Sequence, residues 1–411
     1  MVDADAVGRV FRAEHGRCVA TLTRLLGDID LAEEAVQDAF TVACERWQEL
    51  PPNPGGWIVT TARRRALDRW RRESTRHARH VEALRLAEAR GGPDGPREEG
   101  GAVHDDRLRM VFTCCHPALA PEAQVALTLK LLGGLDTAEI ARAFLLPEAT
   151  LAQRIVRAKR KIRDAGIPYR VPTEAELPGR LGPALAVVYL VYTAGHSAAA
   201  GDGLHRVELC AEAVRLARLL AELMPDEPEV LGLLALLLLL ESRRPARTGP
   251  DGGLVLLPDQ DRGRWDAALA AEGRALVRAC LRRGAPGPYQ VQAAINAVHS
   301  DAAEAAATDW PQIVRLYDLL LTLTPTPVVA LNRAVALAEA DGPAAALAEV
   351  DRSDVAGALA GYQPWWVVRA ELLVRLGRTG EAAAAYRRAV ELTGNAVERE
   401  HLARRLAALG G

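Results

Sequence analysis

Residues Asp136–Arg163 read DTAEIARAFLLPEATLAQRIVRAKRKIR. The stretch predicts two helices joined by a tight turn. Asp136 or Thr137 can accept the first free amide hydrogens of the first helix, and Glu139 three residues on completes an Asp-x-x-Glu capping box. Ile140, Ala141 and Phe144 give that helix one apolar side. Pro147 suits a first helical position, where its missing N–H costs nothing, and opens the second helix. There Leu151, Ile155, Ala158 and Ile162 recur at helical spacing as one buried stripe. Gln153, Arg157 and Arg160 point away from it, flanked by Arg154 and Lys161. An apolar back and a cationic, amide-bearing front suit a DNA major groove, where arginine and glutamine reach base edges. An ordinary helical hairpin with a solvated basic face is the alternative. Against it stand six cations, Arg154, Arg157, Lys159, Arg160, Lys161 and Arg163, in a helix whose one acid is Glu148.

The chain of 411 residues has room for two or three cores. Its 49% hydrophobic and 25% charged residues describe an ordinary soluble protein. A net charge of −2 hides an asymmetry: residues 1–170 hold 27 Lys+Arg against 24 Asp+Glu, and the remainder 24 against 29. The basic surplus sits in two short helices, which fits local nucleic-acid contact. Cys18, Cys44, Cys114, Cys115, Cys210 and Cys280 show no CxxC spacing, so reduced cytosolic thiols are expected. The start MVDADAVGRV carries no secretory signal, and the apolar run Leu231–Leu240 is too short to span a bilayer. Cys114-Cys115-His116 cannot converge easily on one ion, and no metal or cofactor is expected.

Along the chain, Val7 to about Leu26 is an amphipathic helix. Asp30 and Glu33 are expected to cap the next one, whose core side is Leu31, Ala35, Ala39, Ala43 and Trp47. Its exposed side carries Glu34, Gln37, Asp38, Thr41 and Glu45, a solvated face or a dock for a basic protein. The Leu50–Gly56 loop LPPNPGG breaks helix on both sides. Trp57–Glu73 resumes helix with Arg63, Arg64, Arg65, Arg69, Arg71 and Arg72 interleaved with Trp57 and Trp70. Arginine there serves phosphates, and the tryptophans serve either unstacked bases or the core. Ser74–Gly101 decays into linker chemistry, and Pro121 opens a helix just before the helix-turn-helix.

This order, an acidic-faced helix, a Pro/Gly loop, an Arg/Trp helix, a linker and a basic helix-turn-helix, resembles a bacterial sigma factor of the extracytoplasmic-function (ECF) type. DLAEEAVQDAFTVACERW (Asp30–Trp47) is similar to the family's core-polymerase-binding helix, and PGGWIVTTARRRALDRWRRE (Pro54–Glu73) to its −10 reader. Ala120–Arg163 is similar to its −35 reader. The resemblance implies that Glu34, Gln37 and Asp38 contact the clamp helices of the polymerase β′ subunit. It implies that Leu50–Asn53 receives an extruded −10 base and that Arg63, Arg64, Asp68, Arg71 and Arg72 lie along the promoter strands. Thr150, Gln153, Arg154 and Arg157, with Arg160 and Lys161 beside them, would enter the −35 groove. Arg64 stands where the family commonly has Asn, which bears on the details of −10 contact.

From Tyr169 the chain reads as helix after helix with Pro/Gly punctuation. In the last of these, Trp366, Ala370, Gly377, Ala382, Tyr386 and Ala389 take the positions a tetratricopeptide (TPR) repeat wants. Ala334 and Ala346 mark a degenerate copy, and Ala213, Ala217 and Pro225 a fainter one, which predicts a stacked solenoid. Such an extension resembles that of one ECF subgroup, in which a TPR-like region replaces the separate anti-sigma factor. Gly252–Asp266 (GGLVLLPDQDRGRWD) is an irregular break and a candidate functional loop. His196, Ser197 and His205 invite a hydrolase reading, but no nucleophile elbow accompanies them, so buried or capping roles are expected and no catalytic residue is assigned.

The whole reads as an all-α protein: residues 1–74 binding core polymerase and the −10 element, linker 75–104, residues 105–168 binding −35 DNA, and a TPR-like region 169–411. The expected function is promoter-directed transcription initiation in the cytoplasm, without enzymatic activity or membrane contact. The expected partners are core polymerase, promoter DNA and a regulatory protein on the solenoid. The alternative is a helix-turn-helix regulator whose TPR-like half senses a ligand or protein, with no polymerase binding.

Overall fold

The computed structural model describes residues 4–73, 101–144, 146–197, 200–201, 205–250 and 252–409. They form two compact units, Met1–Leu190 and Val191–Gly411. The segment 74–100, most of the expected linker, lies outside the described residues; helix resumes at Gly101.

The first unit opens with α1 (Ala4–Leu26), α2 (Ile29–Arg46) and α3 (Pro54–Glu73), which pack on one another. Asp28, rather than Asp30 or Glu33, caps α2: its Oδ1 accepts from the Leu31 amide at 3.0 Å. Three acids within six residues all fit a capping pattern, and ion pairs described below engage the other two. Asn53 caps α3, its Oδ1 accepting from the Gly56 amide at 2.8 Å. Gly55 has no room for a side chain, since a Cβ there would lie 2.4 Å from Glu14 Oε2. The Pro/Gly loop is thereby pressed onto α1.

Next come α4 (Gly101–Cys114), α5 (Pro121–Leu131), α6 (Thr137–Phe144) and α7 (Glu148–Asp164). The capping box forms in full: Asp136 Oδ1 accepts from the Glu139 amide at 2.6 Å, and Glu139 Oε2 accepts from the Asp136 amide at 2.7 Å. Pro147 is the residue before the helix rather than its first member, and its carbonyl accepts from Leu151. Leu151, Ile155, Ala158 and Ile162 are all buried, and α7 packs on α5 and α6.

α8 (Leu177–His196) carries the chain across the division between the units. The second unit contains α9 (Val207–Leu223), α10 (Pro228–Ser242), α11 (Ala267–Arg283), α12 (Pro288–Asp301), α13 (Trp310–Leu323) and α14 (Pro327–Ala340). After them follow α15 (Pro343–Val350), α16 (Ser353–Leu359), α17 (Gln363–Arg375), α18 (Thr379–Leu392) and α19 (Ala396–Ala407). The run in α10 is a core helix, with Leu233, Leu234 and Leu236–Leu239 buried between α11 and α12. No helix of the described residues is long and apolar enough to cross a membrane. Two short parallel strands, β1 (Ala200–Gly201) and β2 (Gly394–Asn395), pair within this unit.

Small residues govern how closely these helices approach. A Cβ on Gly232 of α10 would meet Gln290 Cγ at 2.6 Å and the Gln290 backbone nitrogen at 2.7 Å. Gly232→Val is therefore expected to cost the second unit about 1–3 kcal/mol, the range of overpacked cores. Gly8→Ala in α1, with nothing within 4 Å, should be neutral or stabilising. Thermal unfolding of both variants checks the contrast; equal midpoints would contradict it.

Helices α17 and α18 form a hairpin whose buried small residues are Ala370, Ala382, Ala385 and Ala389, with Tyr386 buried among them. Gly377 ends the first helix at φ 72°, a left-handed conformation that favours glycine. Ala334 and Ala346 are likewise fully buried where α14 meets α15.

Candidate nucleic-acid and polymerase interface

On α7 the buried stripe fixes what faces outward. Thr150, Gln153, Arg157, Arg160 and Lys161 are exposed and Arg154 is half-buried. Arg160 pairs with Asp164 one turn on, at 3.1 Å, with both ends in solvent. A surface pair of this kind contributes little and is readily exchanged for a phosphate. Val156, which the sequence reading passed over, is 64% exposed on this outward face. An apolar side chain between Gln153 and Arg160 is suited to a thymine methyl group. Its exposure is its signal, because buried valine is the rule on the opposite side.

On α3, Arg63, Arg64 and Asp68 are exposed, and Asn53 stands exposed at the helix start. Arg71, Arg72 and Trp70 belong to the same helix, but their side chains lie outside those described. Trp57 is half-buried and meets the buried Trp47 edge-on, ring centroids 5.3 Å apart, so these two rings serve packing. Leu50 is 47% exposed in the preceding loop.

On α2, Glu34 and Gln37 are exposed and Asp38 is half-buried. Arg65 of α3 reaches Asp38 at 3.7 Å, bringing the expected polymerase-facing and −10-facing sets together at one edge. The −35 set is joined to α2 through side chains the sequence reading did not single out as pairs. Lys159 Nζ lies 2.9 Å from Asp30 Oδ1 and 2.5 Å from Glu33 Oε2. Lys130 Nζ is 3.4 Å from Glu33 Oε1, and Arg163 is 3.4 Å from Asp30. Burial alone would lower the Lys159 pKa; the Glu33 and Asp30 carboxylates outweigh it and leave it raised. The Lys159 contribution is thus fully present below the ordinary lysine value and lost only as pH rises through the raised one.

Two further contacts join these helices. Asp106 of α4 is buried and receives Arg24 Nε of α1 at 2.8 Å and Arg109 at 3.1 Å. The Tyr169 hydroxyl donates to the carbonyls of Ala20 at 2.7 Å and Asp106 at 3.1 Å, and burial raises its pKa.

In the second unit the histidines are internal. His196 Nδ1 is 3.2 Å from the Tyr192 hydroxyl, and Arg247 contacts its Nε2. His205 Nδ1 donates to the His196 carbonyl at 2.8 Å. Burial, then Arg247, push His196 down to about 2. Tyr192 reaches Glu241 at 3.4 Å, a carboxylate paired with Arg244, and Ser197 stands exposed just past the end of α8. The Gly252–Asp266 loop is held by structural contacts. Arg262 donates to the carbonyls of His299 and Ala302 and lies 4.7 Å over the Trp265 ring, and Asp266 caps α11. Cys114 and Cys115 are buried with raised thiol pKa values, Cys115 beside Thr128.

Residues 10–76 match the family Sigma-70 region 2, residues 109–162 match Sigma-70, region 4, and residues 180–281 match a family of unknown function (DUF6596). The chain is 40% identical over 405 residues to an uncharacterized protein of Rhizobium meliloti, covering 98% of this chain and 95% of that one. It is 29% identical over 168 residues to the ECF RNA polymerase sigma factor SigK of Mycolicibacterium vanbaalenii, covering 39% of this chain and 82% of SigK. With the probable ECF RNA polymerase sigma factor SigI of Mycobacterium tuberculosis it shares 26% over 167 residues, 41% of this chain and 58% of SigI.

Proposed function

We propose which residues do the work in this chain, which belongs to the ECF sigma factors directing promoter-specific transcription and carries a DUF6596 domain behind its two sigma regions. Glu34, Gln37 and Asp38 dock the β′ clamp helices of core polymerase. Asn53, Arg63, Arg64, Asp68, Arg71 and Arg72 engage the −10 strands, with Leu50–Asn53 receiving the extruded base. Thr150, Gln153, Arg154, Arg157, Arg160 and Lys161 read the −35 groove, with Val156 beside them. The observation that carries the reading is the outward face of α7, cationic and amide-bearing over a fully buried stripe. The protein acts in the cytoplasm as a non-enzymatic factor, since positioning and melting DNA for another enzyme needs no reacting group of its own.

We propose further that the second unit, with its TPR-like α17–α18 hairpin, regulates this activity by presenting paired helices to a protein partner. The experiment is a run-off transcription with core polymerase, comparing the full chain with residues 1–190, which retain the whole first unit. Core binding is expected to survive the truncation and transcript yield to change several-fold. Identical yields would remove the regulatory role; no complex of the full chain with core would remove the assignment of α2.

A further inference from the structure

In the second unit, guanidinium groups gather at one place without acids to match them. Arg243 caps the end of α10, and Arg247 follows four residues on, past the 3-10 turn Arg244–Ala246. Arg262 opens a second 3-10 turn, Arg262–Arg264, which packs on the first. Trp265 lies between them, with Arg262 Cζ 4.7 Å and Arg243 Cζ 5.9 Å from its ring. The contacts of all three arginines are to neutral groups. Arg243 donates to Asn296 Oδ1 at 2.5 Å, and Arg247 to His196, at the ring Nε2 and at the carbonyl 3.2 Å away. Arg262 donates to the carbonyls of His299 and Ala302 at 2.5 and 2.7 Å. Of the carboxylates that act on Arg247, Glu241 is taken by Arg244, and Glu398 accepts from the Thr393 hydroxyl at 3.0 Å.

Helix ends offset only part of this charge. Arg247 and Arg262 sit at the C-terminal ends of α8 and α12, each worth roughly half a negative charge, so about two positive charges remain with no anion in contact. Burial, then Arg247 and Arg262, push Arg243 down to about 10, as befalls a poorly hydrated cation among other cations. His205 Nε2 and Trp265 Nε1 are buried there without a hydrogen-bond partner, and the indole nitrogen can only donate. Arg243, Arg247 and Arg262 are half-buried rather than sealed, which suits a small solute better than a duplex or a flat protein face. We propose that this cluster binds a small phosphoryl-bearing anion, with Arg243 and Arg247 forking its oxygens, Trp265 Nε1 donating to them, and Arg262 acting through its charge. A single carboxylate would leave about one charge unmatched, whereas a phosphoryl group carries about −1.5 to −2 at pH 7 and accepts the arginine fork. Bound there, it would tie the Gly252–Asp266 loop to the ends of α8 and α10. The cluster lies wholly within the second unit, so the inference stands apart from the roles assigned to α2, α3 and α7.

Amide hydrogen exchange of the full chain at pH 7.5 is compared in inorganic phosphate and in sodium chloride of equal ionic strength. Peptides spanning 243–247 and 253–266 should gain about ten-fold protection, the factor for about 10 mM phosphate and a dissociation constant of about 1 mM, while those of α1 should not change. Arg243→Gln keeps a donor for Asn296 and removes the charge. In chloride it should be at least as protected as wild type, since a cation without an anion is gone, and in phosphate it should show no gain. Sodium acetate needs no variant: a gain equal to that in phosphate assigns a carboxylate site and overturns the proposal. Adenosine 5′-monophosphate at the same concentration separates the sources, a larger gain than phosphate's pointing to a phosphate ester and an equal or smaller one to the free ion. No gain with either phosphate compound, or the same gain in Arg243→Gln, also overturns it.

Discussion

Replacing Arg154 and Arg157 together with alanine is expected to lower transcription from a −35-dependent promoter about a hundred-fold while leaving the affinity for core polymerase unchanged. Arg157 is exposed on the outward face of α7 and Arg154 flanks it, half-buried. A good bidentate arginine–guanine contact discriminates by about 1–3 kcal/mol, and 1.4 kcal/mol is about ten-fold, so two such contacts reach two decades. The substitutions leave the stripe Leu151, Ile155, Ala158 and Ile162 intact, so α7 should remain seated on α5 and α6. The measurement is run-off yield on a promoter and on the same template with its −35 element scrambled. The variant should lose the difference between them; an undiminished ratio would mean these arginines do not read the groove. Lys161→Ala, a phosphate contact, should instead weaken both templates alike and reduce the salt dependence by about one charge.

Local chemistry was legible in the sequence because it repeats at helical spacing. The Asp136–Glu139 box, the α7 stripe and the Gly377 turn each follow from residues within one or two turns of one another. Pro147 fell one position from expectation, since a proline satisfies the residue before a helix as easily as the first within it. The cap of α2 was misread because Asp28, Asp30 and Glu33 are equivalent by pattern; only their distant partners distinguish them. Those partners are what the sequence hides. Lys159 lies well over a hundred positions from Asp30 and Glu33, and no period links α7 to α2. Asp106, which no local pattern marks out, is buried under Arg24 and its carbonyl accepts from Tyr169. Each is a charge or hydroxyl whose role is set by the packing of other helices, which residue type alone does not encode.

Acid should weaken the second unit well before it affects a typical helical protein, and the internal histidines are the reason. Burial, then Arg247 and Arg243, push His196 down to about 2; burial, then Arg243 and Arg262, push His299 down to about 4. His205 is lowered as well, by burial and Arg247. A base whose folded pKa is depressed is neutral in the fold and protonated in the unfolded chain once pH drops below its ordinary value of 6.5. Stability is therefore complete above that value and declines on the acid side, down to about 4 for His299 and about 2 for His196. At roughly 1.4 kcal/mol per proton and pH unit, with the unfolded rings half protonated at the upper limit, His196 and His299 together remove about 3 kcal/mol between pH 6.5 and 5. Glu212, raised by burial despite its Arg215 partner, titrates in the opposite sense and trims that loss. Amide hydrogen exchange at pH 7.5 and 5.0, corrected for the intrinsic rates, measures the opening free energy in peptides of α8 and α12. Protection there should fall at pH 5.0 by two to three decades, and much less in His196→Gln/His299→Gln. Equal protection at both pH values would mean that these rings take up protons inside the fold, which their arginine surroundings oppose.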